Sequence, residues 1–167
     1  QAEFGDMMNG HWKYGLSSSV LEEFYLDLND GALDGMYYLE TVVVPANDTD
    51  GISSVGTLVN GQDYELRANG TAWACSSGDC FIEFDAEYSE SSGGGWVDGV
   101  AAPYDGFGLD LLDLKVDGGF VGWGAYSAPH EYSLPWIGSG TPVEFLINDV
   151  YYPNNTGSLT VKIYGVL

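Results

Sequence analysis

Cys80-Phe-Ile-Glu-Phe-Asp-Ala-Glu-Tyr88 alternates strictly: Phe81, Glu83, Asp85 and Glu87 fall on one side, and Ile82, Phe84, Ala86 and Tyr88 on the other. A period of two belongs to a β-strand, whose successive side chains point to opposite faces. Working outward, segments of the same kind run from Met36 to Val44, Ile52 to Leu58, Asp63 to Ala68, Leu109 to Val116 and Phe120 to Tyr126. Glu131 to Leu134, Pro142 to Ile147 and Ser158 to Tyr164 complete the set. Gly, Asn, Asp and Pro break them apart. Val59-Asn-Gly-Gln62 and Asp117-Gly-Gly119 read as the turns of two hairpins. Ten or so short strands with frequent turns predict an all-β fold, a two-sheet antiparallel β-sandwich. Ser18 to Leu28 reads as a further strand, with a capped helix as the alternative. The 24 glycines argue against long helices.

Charge narrows the partners. Against 25 acids stand only Lys13, Arg67, Lys115 and Lys162, for a formal charge of −21. Nucleic acid is repelled, because phosphate binding needs basic residues. An anionic membrane surface is repelled as well. No apolar run approaches the ~20 residues of a membrane span. Such a surface attracts cations and is strained by self-repulsion unless counter-ions collect on it. No charged-then-apolar signal segment opens the chain, so Gln1 is read as a mature N-terminus.

Cys75-Ser-Ser-Gly-Asp-Cys80 has no second Cys or His pair nearby to complete a zinc site, and four intervening residues do not suit a redox motif. A local disulfide between Cys75 and Cys80 is the better reading, with two reduced core cysteines as the alternative. A disulfide implies an extracellular or cell-surface location.

Three groups of residues carry candidate chemistry. The first is the C-terminal hairpin expected around Asn148-Asp149 and Asn154-Asn155. Calcium takes six to eight oxygens, and one carboxylate, amide carbonyls and turn carbonyls within eight residues supply many of them. The same residues also suit an ordinary turn. The second is Asp85 and Glu87, which the strand reading places side by side on one face, where a divalent cation would offset their repulsion. The third is aromatic: Trp96, Trp123, Trp136, Tyr104, Tyr151 and Tyr152 can stack on sugars or fill a core. Tyr151 and Tyr152 are favoured for sitting on the Asn-rich loop. His11 and His130 are the only histidines, no nucleophile elbow occurs, and a non-enzymatic protein is expected.

Thr41-Val-Val-Val-Pro-Ala-Asn47, Asn60 to Gly70, Phe84-Asp-Ala-Glu-Tyr88, Trp123-Gly, His130-Glu-Tyr132 and Asn148-Asp149 through Asn154-Asn-Thr-Gly-Ser-Leu-Thr-Val-Lys-Ile163 resemble secreted bacterial modules of the galactose-binding-like, jelly-roll type. The chain is similar to the soluble calcium-dependent galactophilic lectins over residues 40 to 167. The resemblance implies that Asp149, Asn154 and Asn155 are calcium ligands, joined by a backbone carbonyl near Ala74 or Cys75. It implies an adhesive domain at 41–167, preceded by a strand-like extension at 1–40. There are departures. The Asp149–Asn154 spacing is two residues shorter than in the lectins, which removes their threonine ligand. Ala102 precedes Pro103 where the lectins have a histidine, and the Cys75–Cys80 loop is inserted where the site would open. Calcium therefore carries over better than galactose.

The expectation is a calcium-dependent binder of a glycan or cell-surface polysaccharide, with Tyr151, Tyr152, Tyr104 and Trp96 as ligand contacts. The alternative is a subunit of an extracellular filament or surface layer. There the N-terminal segment would donate a strand to copies of itself and calcium would cement the contacts.

Overall fold

The structure is a computed structural model that describes residues 35–77, 80–91, 94–99 and 110–167. Eleven strands are present among them. They are β1 (Met36–Pro45), β2 (Ile52–Ser53), β3 (Asp63–Asn69), β4 (Ala72–Ser77), β5 (Cys80–Phe84), β6 (Tyr88–Ser91), β7 (Val97–Asp98), β8 (Leu114–Val116), β9 (Glu131–Ile137), β10 (Glu144–Ile147) and β11 (Thr156–Val166). The only helical element among the described residues is a 3-10 turn at Tyr152–Asn154. No described helix is long and apolar enough to cross a membrane.

The strands form two antiparallel sheets, and the protein is an all-β sandwich. The larger sheet runs β7-β6-β5-β4-β11-β3-β9, with β1 also paired to β11; the smaller is β2-β10-β8. β11 organises the larger sheet. Its first residues, Thr156 and Gly157, pair with β4, and Thr160 to Gly165 pair with β3. Its other edge pairs with β1 from Ser158 to Val166. Leu159, Val161 and Ile163 point inward, each at most 1% exposed, while Lys162 points out. They meet Val42 and Val44 of β1, Leu66 of β3 and Phe145 and Ile147 of β10 in one core. Burial of such alternate apolar side chains is what fixes strand register.

Several local expectations change. β1 ends at Pro45, one residue past the expected Val44, and its register with β11 shifts between Tyr38 and Glu40. The turn at Val59–Gln62 forms, with Gln62 N donating to Val59 O across 3.1 Å. The hairpin around it does not, because β2 pairs with β10 in the small sheet while β3 pairs with β11 and β9 in the large one. Likewise Phe120 to Tyr126 is not a strand: β8 pairs with β10, and across the Asp117–Gly119 turn it makes a single bridge, Val116 to Gly119. Cys80 to Tyr88 is two strands, not one, since β5 stops at Phe84 and β6 starts at Tyr88. β10 and β11 are not a hairpin: the connection between them crosses from one sheet to the other. Ser18 to Leu28 lies outside the described residues, as does Tyr104.

Candidate functional site

The crossing from β10 to β11 is built by side chains bonding to backbone. Asn148 staples it to the segment before β8. Its N–H donates to Asp113 O (2.9 Å), its carbonyl accepts from Leu112 N (2.6 Å), and its Nδ2 donates to Asp110 O (2.8 Å). Asp149 Oδ1 accepts from the backbone N–H of Val150 and of Tyr151 (3.2 Å to the latter), a turn that Asp forms readily. The Tyr152 hydroxyl donates to Ile147 O (2.9 Å) and accepts from Asp149 N (3.2 Å). Pro153 pre-sets the 3-10 turn, which ends as Asn155 N donates to Tyr152 O (3.0 Å).

Asn155 closes the arrangement. It is 3% exposed, and its Nδ2 donates to Asp149 Oδ2 (2.7 Å) and to Ala46 O (2.9 Å). Its Oδ1 is buried with no hydrogen-bond partner. A buried amide oxygen without a donor is uncommon and costs about 1–3 kcal/mol. Ala46 is held in place because its N–H donates to Gly157 O (3.0 Å). Gly157 has φ 86 and packs its α-carbon against Ala72, where a Cβ would lie 3.4 Å from the Ala72 α-carbon. Asp149 and Asn155 are thus brought together as the spacing suggested. Asn154 sits half-buried beside them in the 3-10 turn, which packs on β4. β4 is bulged between Ala74 and Ser77, and Cys75 takes φ 55 there. Cys75 is disulfide-bonded; the side chain of Cys80 lies outside the described residues. The Ala46 carbonyl was not legible in the sequence, since nothing in a local pattern marks a contact 109 residues away.

Asp85 and Glu87 are placed elsewhere, in the tight turn between β5 and β6. Asp85 is fully buried and its carboxylate accepts four hydrogen bonds. Oδ1 takes those of Glu87 N (2.9 Å) and Tyr88 N (2.7 Å), and Oδ2 takes that of the Tyr132 hydroxyl (2.7 Å) and pairs with His130 Nδ1 (2.8 Å). With its lone pairs met by protein donors, Asp85 serves as an internal acceptor in this geometry. Glu87 Oε2 accepts from Trp123 N (2.7 Å). Burial, then Asp98, Asp85 and Asp110, push the Glu87 carboxyl above its ordinary value, opposed by that hydrogen bond. Burial, and then the hydrogen bond to Asp85, raise the Tyr132 hydroxyl.

Asp113 is an acid with few polar neighbours. It is 6% exposed, and burial, followed by Glu87, Asp110, Asp98 and Asp85, pushes it up to about 8. Nothing local in the sequence distinguishes it, since it is one acid among 25.

The aromatics separate by role. Trp123 is 3% exposed and its Nε1 donates to Leu114 O (2.9 Å), which makes it a core residue. Trp136 packs against the core. Tyr152 spends its hydroxyl inside the loop, while Tyr151 is 59% exposed. Trp96 joins a different group, with ring centroids 4.3 Å from His130 and 5.8 Å from Tyr126.

No family model matches the chain, and no curated protein does. Among solved structures, it is similar to the EclA N-terminal domain, described as a PllA-like lectin. The TM-score is 0.49 and the sequence identity 15%, over 77% of this chain and 97% of that one.

Proposed function

We propose that the chain is a non-catalytic extracellular module that binds carbohydrate through a calcium ion and acts in adhesion. The observation that carries this reading is the convergence on Asn155. Turning its amide over about the terminal torsion exchanges Nδ2 for Oδ1. Three oxygens then face one another: Asp149 Oδ2, Ala46 O and Asn155 Oδ1. Oxygens so placed repel unless a cation lies among them, and calcium prefers this mix of carboxylate, amide and backbone oxygen. In the geometry described above, the Nδ2 group stands where the ion's charge would be, which accounts for the orphaned Oδ1.

Asp149, Asn155 and the Ala46 carbonyl would hold the ion, with Asn154 beside them. Sugar hydroxyls would complete its shell, and the exposed ring of Tyr151 offers an adjacent apolar surface for a pyranose face. The net charge of −21 favours neutral glycans over anionic ones.

A glycan array probed in millimolar calcium and again in excess EDTA tests the reading. Binding that is present with calcium, abolished by EDTA and absent from Asp149→Ala is expected. A retained array signal in EDTA, or none under either condition, would count against it.

A further inference from the structure

The register of the larger sheet lays four side chains in a row across it. Trp73 of β4 pairs with Glu83 of β5, and Glu83 pairs with Glu90 of β6. β6 meets β7 as Tyr88 with Asp98 and Ser89 with Val97, so the next step along that register sets Trp96 opposite Glu90. Residues directly opposite in antiparallel strands share a face. Trp73, Glu83, Glu90 and Trp96 thus lie on the outer face, with Ile82 and Phe84 buried on the inner one. Trp73 is the end nearest β11, whose Thr156 it pairs with, and Trp96 is the far end.

Aromatic rings flank the row at both ends. Trp73 packs on Phe81 with centroids 4.6 Å apart. Trp96 lies 5.8 Å from Tyr126, their planes 24° from parallel, and 4.3 Å from His130. Phe81 and Tyr126 are each 42% exposed, and the two tryptophans are half-buried. The far group is held in place from beneath. His130 Nδ1 pairs with the buried Asp85 (2.8 Å), and His130 N donates to Ser127 O (2.8 Å). Tyr88 meets Tyr126 edge-on at 5.5 Å while its hydroxyl donates to Gly124 O (3.0 Å). His130 takes φ 57, a backbone region costly to a side chain of its kind.

Charge selects the occupant. Glu83 and Glu90 stand directly opposite each other, which is destabilising for like charges. Burial, then Asp85, Glu90 and Glu83, push the Tyr126 hydroxyl above its ordinary value, so the negative field reaches that ring. A hard metal ion wants a full shell of oxygens, and among the described residues no three His, Cys, Asp or Glu are placed to hold one. A quaternary ammonium spreads its charge over methyl groups, which gain from aromatic faces and from carboxylates together.

We propose that this face binds a small organic cation of the quaternary ammonium class, seated over the Trp96 and Tyr126 rings with its charge toward Glu90. The site shares no residue with the Asp149–Asn155 loop and needs no ion there.

Choline chloride is titrated into the full chain by calorimetry, in EDTA and with ionic strength held constant by sodium chloride. Saturable binding is expected in the wild type and in Asp149→Ala. Tyr126→Ala and Glu90→Gln are each expected to weaken it by roughly threefold or more, while Tyr126→Phe, which keeps the ring, retains it. The uncharged isostere of choline, with tert-butyl in place of trimethylammonium, is expected not to bind. Absence of saturable choline binding overturns the proposal. So does equal binding of the isostere, which would show a merely apolar surface, or unchanged affinity in folded Tyr126→Ala. Attachment to phosphatidylcholine vesicles without a response to free choline assigns the face to a lipid surface and overturns it as well. Circular dichroism checks the variants, and the isostere comparison needs none. With metal chelated and no glycan present, failure here leaves the reading of the loop untouched.

Discussion

Asn155 Nδ2 and Asp149 Oδ2 lie 2.7 Å apart, and this one hydrogen bond ties the two ends of the crossing between the sheets. Residues six apart in sequence are thereby fixed at the point where the chain leaves one sheet and enters the other. Ala46, at the exit of β1, is fixed to the same amide. A ligand that binds here links three segments at once.

Through that linkage the proposed calcium ion would act as a stabiliser. Binding only to the folded state adds ~2.7 kcal/mol at a hundredfold excess over Kd. Calcium added to chelator-treated protein is expected to raise Tm, and Asn155→Ala is expected to remove the part of that rise contributed by the loop. Calorimetric scans at a series of calcium concentrations check it. A wild-type Tm that stays constant up to millimolar calcium would sink the metal reading of the loop.

Asp85→Asn is expected to destabilise the protein by about 3–5 kcal/mol, the usual cost of breaking a buried charged network. Four donors converge on this carboxylate, and an amide NH2 would confront at least one of them. Urea unfolding measures it, and a loss below about 1 kcal/mol would contradict the network's importance.

Asp113 makes stability depend on pH in a stated direction. Its folded value, about 8, lies above the ordinary 3.8, so between those values the folded state binds more protons than the unfolded one. Stability therefore falls as pH rises from about 4 to about 8. Asp113→Asn carries no such charge and is expected to flatten that part of the profile. The remaining slope includes Glu87, which is raised as well. Urea unfolding in EDTA at pH 5 and pH 8.5 compares the two proteins, and parallel profiles would refute the assignment.

Tyr151→Ala is expected to leave stability within about 0.5 kcal/mol, as for most exposed positions. It is expected to weaken glycan binding by roughly 1 kcal/mol or more if the ring is a contact. Affinity measured on the glycan found by the array decides this, and an unchanged Kd removes Tyr151 from the surface.

Gly138→Ala tests a close approach of backbones. A Cβ at position 138 would collide with Val59 O and with the Tyr64 ring. Gly138 also exchanges hydrogen bonds with Gly61 and Gln62. A loss of about 1–3 kcal/mol is expected, read as a lower urea midpoint; an unchanged midpoint would show that the turn yields freely.

The alternation of Leu159, Val161 and Ile163 against Ser158, Thr160 and Lys162 is a local property, and it determined by itself that this segment is a half-buried strand in an all-β protein. That the chain turns between Asp149 and Asn155 was legible for the same reason, but the expected hairpin was not, since the stretch crosses from one sheet to the other. Pairing was not legible. Whether Ile52 meets Asn69 in a hairpin or crosses to Phe145 depends on which distant apolar face it helps to bury, and no neighbour in sequence carries that information. The two acid readings divide the same way. Asp85 and Glu87 looked like a pair on one strand face, but β5 ends at Phe84, and only the fold supplies Tyr132 and His130 as donors. Asp113 differs from its fellow acids solely in what surrounds it. Burial and Coulomb interaction are set by distance in space, and tertiary structure alone decides that distance.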